Sequence, residues 1–572
     1  MITNREIAKL LTEMAAFLEM QGVAFKPRAY EKAALGIESL DREAADIYDK
    51  GGLKALEKIP GVGKGIAGHI EEMAKTGSFK EYRALKKKIP VDISSLLAVE
   101  GIGPQMIKIL WQKLHIRNLV QLEKAARAGK IHDLTHFGRK SEEKIIKGIE
   151  FLKASGGRQV LGFLLPEIRN LEKAVQALDG VEKAIVAGSV ARRRETIGDI
   201  DILAVSSNPQ KVMEQFVSLP VVAHVYGKGL TKTNVRLTNG LDADLRVVPK
   251  ESFGAALNYF TGSKDHNIAL REIAIKKGMK LNEYGLYRGK KMVAGATEEG
   301  IYRALGFKQV PPPEIRENTG EIKTAQLGKL PKLIDYGDLR GDLQVQTDWT
   351  DGDNSIEEMA CAAQAAGLEY IVITDHTRSL AMTGGSDEKK LLKQVEEIKK
   401  IQKKFKNFRI LTGAEVNIAK DGSLDINDET LGTLDVVGAA IHSHFKLSRE
   451  EQTKRIIRAM ENPHVDIIFH LTTRMINKRK SIELDVDAVI AAAKRTKTVL
   501  EIDAFPDRLD IKDEYIRKCV SAGVKMSIDS DAHATAHFSY LEHGIAQARR
   551  GWAEKKDIVN AWPLKKLFSL LK

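Results

Sequence analysis

The sequence predicts a multidomain α/β protein: a helical front, a middle built on a mixed sheet with a helical/β subdomain behind it, and a C-terminal (β/α) barrel. Three observations lead there. The chain has 572 residues, more than one compact core commonly serves. Apolar residues recur at spacings of three and four through residues 1–155 and give way near residue 180 to strand-like runs such as VEKAIVAG and DIDILAVSS. Beyond about residue 336, strands and helices alternate, the pattern of a largely parallel sheet or barrel.

Composition narrows the setting. The formal net charge is +13, with 43% hydrophobic and 6% aromatic residues. The basic excess lies in the front of the chain, where a polyanion would bind. The two cysteines, Cys361 and Cys519, exclude a disulfide framework and suit a reducing compartment. The opening MITNREIAKL is charged and amphipathic, unlike a signal peptide, and no apolar run is long enough to cross a bilayer. A soluble cytoplasmic protein is expected, without a membrane partner; nothing in the sequence demands more than a monomer.

The helical front repeats one glycine pattern. Ile59-Pro60-Gly61-Val62-Gly63 precedes Lys64-Gly65-Ile66-Ala67, Val99-Glu100-Gly101-Ile102-Gly103 precedes Pro104, and Phe137-Gly138-Arg139-Lys140 is a weaker third copy. Glycines in a tight turn that opens a helix leave backbone N–H groups unpaired and unobstructed, which suits a phosphate. One copy would be a plain helix end; recurrence in the basic half points to nucleic acid, held by its backbone rather than read by sequence.

The middle of the chain carries the sharper pattern, GSVARRRETIGDIDILAV at 188–205. Asp199 and Asp201 are two apart on a strand, so both carboxylates leave the same face. Such a pair suits hard divalent cations, and Asp242 or Asp244 on a neighbouring strand offers a third carboxylate; spacing alone does not choose between them. Three carboxylates can hold two cations about 4 Å apart. Gly188-Ser189 forms a turn able to meet a triphosphate, and Arg192 adds charge. Downstream, Tyr259-Phe260-Thr261-Gly262-Ser263 runs into Lys264-Asp265-His266-Asn267 and Arg271; Asn267 and Arg271 share a helix face, and the aromatic pair could floor a sugar and base. A lone Tyr-Phe would more simply be core.

Taken together and in this order, these strings resemble family X DNA polymerases, of which DNA polymerase beta is the familiar member. The glycine turns look like helix-hairpin-helix motifs, and Gly-Ser with Asp-x-Asp looks like the nucleotidyltransferase signature. The resemblance covers residues 1–318. It implies a polymerase on gapped or primer–template DNA, using dNTPs and Mg2+ or Mn2+. It assigns Asp199, Asp201 and Asp244 to the catalytic cations, which decides against Asp242, and places Arg246 beside the third aspartate. Gly188, Ser189, Arg192, Tyr259, Phe260, Gly262, Ser263, Asn267 and Arg271 would bind the nucleotide. Gly61, Gly63, Gly101, Gly103, Lys26 and Tyr30 would bind DNA. The expected divisions are a gap- and 5′-phosphate-binding, lyase-like domain at 1–85, a helix-hairpin-helix domain at 86–155, a nucleotidyltransferase palm at 156–250, a nucleotide-selecting subdomain at 251–318 and a linker at 319–335, with Pro311, Pro312 and Pro313 stiffening the approach. One departure is His69 where the family has its Schiff-base lysine; imidazole forms no such iminium.

In residues 336–572 strand after strand ends in a potential ligand: Asp375-His376, Glu415, His442, His444, His470, Glu501, Asp503, Asp531 and His533. Functional groups at the C-terminal ends of parallel strands describe the working face of a barrel. This series resembles the PHP domain of bacterial and archaeal family X enzymes, which implies Mn2+ or Zn2+ and a 3′–5′ exonuclease or phosphodiesterase. By resemblance Glu415, His442 and His470 form one metal cluster and Asp351, His376 and His533 another, and Asp531 is a ligand of a further metal whose remaining ligands come from the first strand. That strand reads Asp342-Leu343-Gln344-Val345-Gln346-Thr347, with glutamine where histidine is expected, and the His470 loop lacks its usual proline and glycine. One metal position is therefore expected to be weakened or empty with the other ligands retained, and the domain is either a manganese-dependent exonuclease or a partly degenerate, structural metal-binding scaffold. Two rival readings stand beside the polymerase: a hydrolase whose front half delivers DNA to a barrel, and a DNA-end-binding scaffold.

Overall fold

The computed structural model describes residues 2–38, 40, 42–99, 102–135, 137–154, 157–380 and 383–571. Packing divides the chain into two compact units, Met1–Gly157 with Arg474–Lys480, and Arg158–Thr473 with Ser481–Lys572.

The first unit is helical. Its opening helix, Asn4–Met20, starts at a reciprocal cap in which Thr3 and Glu6 satisfy each other's backbone N–H groups. Lys64–Thr76 begins directly after Gly63, Pro104–Leu114 after Gly103, and Arg139–Ala154 after Gly138. The division expected at residue 85 is corrected here: it falls inside the helix Lys80–Lys88. One apolar cluster runs from Ile7 and Phe17 through Ile70 and Leu110 to Ile149. Buried Glu13 stitches the join, accepting from Tyr82, Lys86 and Ser94. Removing any partner would leave a buried carboxylate short of donors, so the two helical segments share one fate in folding.

The second unit opens with a mixed five-stranded sheet, ordered Lys183–Val186, Asp199–Val205, Asp242–Val248, Lys232–Leu237 and Val222–Lys228. Asp199–Val205 and Asp242–Val248 pair in parallel, the other neighbours antiparallel. Ile200, Ile202, Ala243, Leu245 and Val247 face the core, which turns the intervening aspartates toward the opposite face. Behind the sheet lie the helices Phe253–Thr261 and Lys264–Lys276, a three-stranded antiparallel sheet, and Glu298–Ala304.

The segment expected as a linker at 319–335 is instead part of this subdomain. It contains the helix Glu321–Leu327, and fully buried Glu321 lies 2.6 Å from His266 Nδ1. His266 Nε2 in turn meets the Tyr302 hydroxyl at 2.9 Å. Just before it, buried Arg316 donates to the Pro311 carbonyl at 2.8 Å and to Glu298. A polar network without access to water anchors its own chain segment.

The C-terminal domain is a nearly closed barrel of seven parallel strands in sequence order, from Gly341–Val345 to Met526–Asp529. A bridge between Val345 and Ala532 brings first and last strands together. Apart from exposed Arg409 at the start of the third, its strands are buried, as expected where helices cover the outside and side chains fill the inside. The sheet domain packs directly against this barrel. Gly162 abuts Pro506 so closely that a Cβ would fall 2.6 Å from it, and Gln547 donates to Glu195 at 2.7 Å. Among the described residues, no helix is long and apolar enough to cross a membrane.

Candidate functional site

The parallel pairing in the mixed sheet sets Asp201 opposite Asp244 and Asp199 opposite Asp242. Arg236 takes both oxygens of Asp242, at 2.5 and 3.1 Å, which leaves Asp244 as the acid facing the Asp199–Asp201 pair. Asp244 is steadied by Asn234 and by Lys232 at 3.3 Å. Burial, and then repulsion from Asp199 and Asp244, raises the Asp201 carboxyl to about 6. Three acidic groups that push one of their number toward its neutral form are a donor set suited to divalent cations.

Gly188 forms the wall beside them. Its φ is +61°, and a Cβ there would fall 2.2 Å from Asp201 Oδ2, so only glycine fits. The adjoining cavity, about 460 Å³, is lined by Gly188, Ser189, Arg192, Asp199, Asp201, Phe260, Gly262 and Ser263, all singled out from sequence except for their convergence. It also receives Arg158, Arg194, Lys264 and Glu317, which the sequence reading missed. Arg194 and Lys264 adjoin residues already named, so proximity could have suggested them. Arg158 carries no local signal; its guanidinium is aimed by Thr196 Oγ1 at 3.1 Å.

Arg192 is engaged within the protein. It donates to Glu317 at 3.0 Å and to the Thr261 carbonyl at 2.7 Å. The barrel reaches the same place: buried Arg550 donates to the Arg192 carbonyl at 2.9 Å, lies 3.4 Å from Glu317, and pairs with Asp513 at 2.5 Å.

The Tyr-Phe turn is braced from behind. Phe260 meets the Tyr259 ring edge-on at 5.1 Å and carries the Arg246 guanidinium 4.6 Å above its own ring. Asn267, expected to reach toward a nucleotide, is turned inward. Its amide donates to the carbonyls of Tyr259 and Gly262 at 2.7 and 3.1 Å, because the turn leaves both acceptors otherwise open. Ser263 caps the next helix by accepting from the His266 N–H. Arg271 is exposed one turn beyond Asn267.

In the helical unit, the space over Gly63, Gly103 and Gly138 is open, and no atom lies within 4 Å of where a Cβ would stand. Gly61, at φ +78°, is instead hemmed in: a Cβ there would fall 2.7 Å from the Lys32 backbone. Gly101 lies outside the described residues. Lys26 is exposed, whereas Tyr30, expected to bind DNA, is buried. It is 7% exposed and its ring stacks on His69, itself tilted against Phe79 at 4.5 Å. Tyr30 shares the buried face of its helix with Ala33, Ala34 and Ile37, and burial pushes its phenol up to about 12.

The barrel gathers its histidines around fully buried Glu415. His442 Nε2 lies 3.0 Å and His470 Nε2 2.8 Å from Glu415 Oε1. A second group joins Asp351, His376 and His533, with His376 and His533 3.6 and 3.7 Å from Asp351 Oδ2. Asp531 belongs to neither group: it is 3.7 Å from both Arg508 Nε and His533 Nδ1. Burial opposes the charge of Glu415, yet His376 and the His470 contact hold its carboxyl well below the usual carboxylate range.

Tautomers test whether cations fit. Asn417 spends its amide N–H groups on Thr377 and Asp425, so its oxygen accepts from His442 Nδ1 at 2.7 Å. His442 Nε2 therefore presents a lone pair to a carboxylate oxygen, and it has no hydrogen-bond partner. Likewise, His533 Nδ1 donates to the Asp531 carbonyl at 2.8 Å, leaving Nε2 as a lone pair toward Asp351. Electron pairs facing one another fit a bound cation. Buried Asp375 braces the rim between Asp351 and His376, accepting from Thr347, Thr350 and Gln394.

Comparison with known proteins matches this architecture. Family models cover residues 2–79 as a helix-hairpin-helix domain, 256–317 as a DNA polymerase beta thumb and 342–561 as a PHP domain. Over 574 aligned residues, spanning 100% of this chain and 99% of the relative, it is 35% identical to the DNA polymerase/3′-5′ exonuclease PolX of Bacillus subtilis (strain 168). It is 24% identical to DNA polymerase lambda of Arabidopsis thaliana, over 54% of this chain and 62% of that one. A probable phosphatase of Acetivibrio thermocellus is 32% identical over 32% of this chain and 73% of its own length. With a relative matched end to end and the thumb and barrel matched in their proper order, the chain belongs to the family X DNA polymerases that carry a PHP domain.

Proposed function

We propose that this chain is a template-directed DNA polymerase that extends a primer 3′ hydroxyl at short gaps during DNA repair, with pyrophosphate as the leaving group. The observation that carries the reading is the opposition of Asp201 and Asp244 on parallel strands beside Asp199, with a cation-lined cavity next to them. Asp199, Asp201 and Asp244 hold Mg2+ or Mn2+, which when bound activates the attacking hydroxyl and offsets phosphate charge. Ser189, Arg192, Arg158, Arg194 and Lys264 take the triphosphate, with Gly188 supplying the room. Tyr259 and Phe260 floor the nucleotide, Gly262, Ser263 and Asn267 fix their turn, and Arg271 faces the template side. Gly63 and Gly103, with Gly61 shaping its turn, set backbone N–H groups against DNA phosphates; Gly101 is assigned to the same DNA contact, and Lys26 adds charge. Gap filling by wild type and by Asp199→Ala/Asp201→Ala tests the assignment; equal incorporation by both would refute it.

The barrel adds a second reading, a 3′–5′ exonuclease. It is supported by the lone pairs that His442 and His533 turn toward carboxylates, a donor set suited to Mn2+ or Zn2+. Glu415, His442 and His470 hold one cation and Asp351, His376 and His533 another, supplying Lewis acidity for phosphodiester hydrolysis. Comparing 3′ trimming in manganese by wild type and His442→Ala tests this. Trimming indifferent to the change would reject it.

A further inference from the structure

Where an acceptor faces an acceptor, a cation is called for; where a donor already faces the acceptor, it is not. One side of the barrel centre is of the second kind. Gln344 and Gln346, both fully buried on or just past the first strand, each direct an amide nitrogen to Glu415 Oε2, at 3.0 and 2.8 Å. An amide nitrogen carries hydrogens and no basic lone pair, so neither contact can become a metal bond without reversing the amide. As placed, both amide oxygens are buried without a partner, and reversal would set them against the carboxylate, an arrangement that only a bound cation would satisfy; with the nitrogens on Glu415 Oε2 none is required. Across the same space Arg508, with about one fifth of its side chain exposed, brings its Nε to 3.7 Å from Asp531 and 3.5 Å from Asp503. A guanidinium holds its charge at any pH the protein meets.

We infer that this third position, between the first strand and Asp531, is closed to metal: Gln344, Gln346 and Arg508 supply the hydrogens and positive charge that a cation would otherwise bring. The inference rests on the proposed reading of the barrel as a metal-dependent phosphodiesterase and narrows it. Cations bind at Glu415–His442–His470 and at Asp351–His376–His533, and Asp531 serves as the Arg508 partner rather than as a ligand. His376 is consistent with this division. Both its nitrogens face carboxylates, Nε2 toward Asp351 and Nδ1 toward Glu415 Oε2, and a neutral imidazole offers one lone pair, not two. With Nε2 as ligand, Nδ1 carries the hydrogen; it lies 3.4 Å from Glu415 Oε2 without a hydrogen-bond partner and offers no second ligand atom. Arg508 cannot ionise a water molecule or exchange its ligands, so the closed position contributes field but no Lewis acidity.

The test counts bound metal. Full-length protein carrying Asp199→Ala/Asp201→Ala, so that sheet-bound cations do not contribute, is loaded with manganese or zinc, desalted and analysed by elemental mass spectrometry. The expected result is loss of one equivalent in His442→Ala and in His533→Ala, and no loss in Gln344→Ala/Gln346→Ala. Gln344→His/Gln346→His combined with Arg508→Ala should gain one equivalent over the parent. A parent that already holds an equivalent beyond those two positions overturns the inference whatever the variants do, as does loss of metal on removing the glutamines. A parent holding no metal at all sinks the hydrolase reading itself, a distinguishable failure.

Discussion

The sheet domain and the barrel each bury acidic groups at the heart of a cleft, but they neutralise them differently. Around Asp201 the nearest groups are two more carboxylates, and its carboxyl is driven up to about 6. Around Glu415 stand two imidazoles, two amides and a further histidine, and its carboxyl is held low. The first region leaves its charge for ligands to satisfy; the second has satisfied part of it with its own side chains. A site of the first kind is open to cations throughout, whereas one of the second kind is selective about where they enter.

The comparison breaks first, and most severely, at the aspartates. Asp199→Ala/Asp201→Ala should lower gap filling by about a thousandfold or more, the equivalent of roughly 4 kcal/mol in the barrier; single-turnover incorporation measures it. Gly188→Ala comes next. A methyl 2.2 Å from Asp201 Oδ2, on a backbone at φ +61°, must displace the carboxylate or the turn. A cost of about 1–3 kcal/mol should appear as a ten- to hundredfold loss of turnover with the melting temperature lowered only modestly.

A pH series sharpens the contrast. The Asp201 carboxyl lies above its ordinary value in the folded chain, so the folded state takes up a proton before the unfolded one. Metal-free protein should therefore gain stability from this group as pH falls through about 6 toward 4, while affinity for Mg2+ falls over the same range. Thermal melts without metal and Mg2+ isotherms at pH 7.5 and 5.5 read the opposite trends; parallel trends would contradict the repulsion among the three acids. The smallest effect should come from Arg550→Ala. It removes the barrel's hold on the Arg192 carbonyl and on Glu317, raising the dNTP KM several-fold, about 1 kcal/mol, with kcat little changed. An unchanged KM would mean that the barrel does not help to set the nucleotide pocket.

Much of this was legible beforehand because it rests on local periodicity. Alternation put Asp199 and Asp201 on one face, Gly188-Ser189 marked a turn with room for phosphates, and strand ends in the C-terminal half listed the histidines that meet at Glu415. Elsewhere local pattern misled. Tyr30 and Asn267 sit in strings that suggest contact with ligands, but one is held in an aromatic stack and the other braces a turn. The proline-rich approach and the residues after it looked like a linker, yet buried Arg316 and Glu321 tie them into the neighbouring subdomain.

The amino-acid sequence by itself determined the order of domains, the acidic pair, the Gly-Ser turn upstream of it and the set of potential ligands in the barrel, since each follows from local pattern and its order along the chain. Tertiary structure decided that Asp244 faces the pair while Arg236 claims Asp242, that Arg158, Arg194 and Lys264 converge on one cavity, and that Gln344, Gln346 and Arg508 crowd Glu415 and Asp531. Those facts depend on strand register and on side chains brought together from distant parts of the chain, and no local rule encodes which donor reaches which acceptor first.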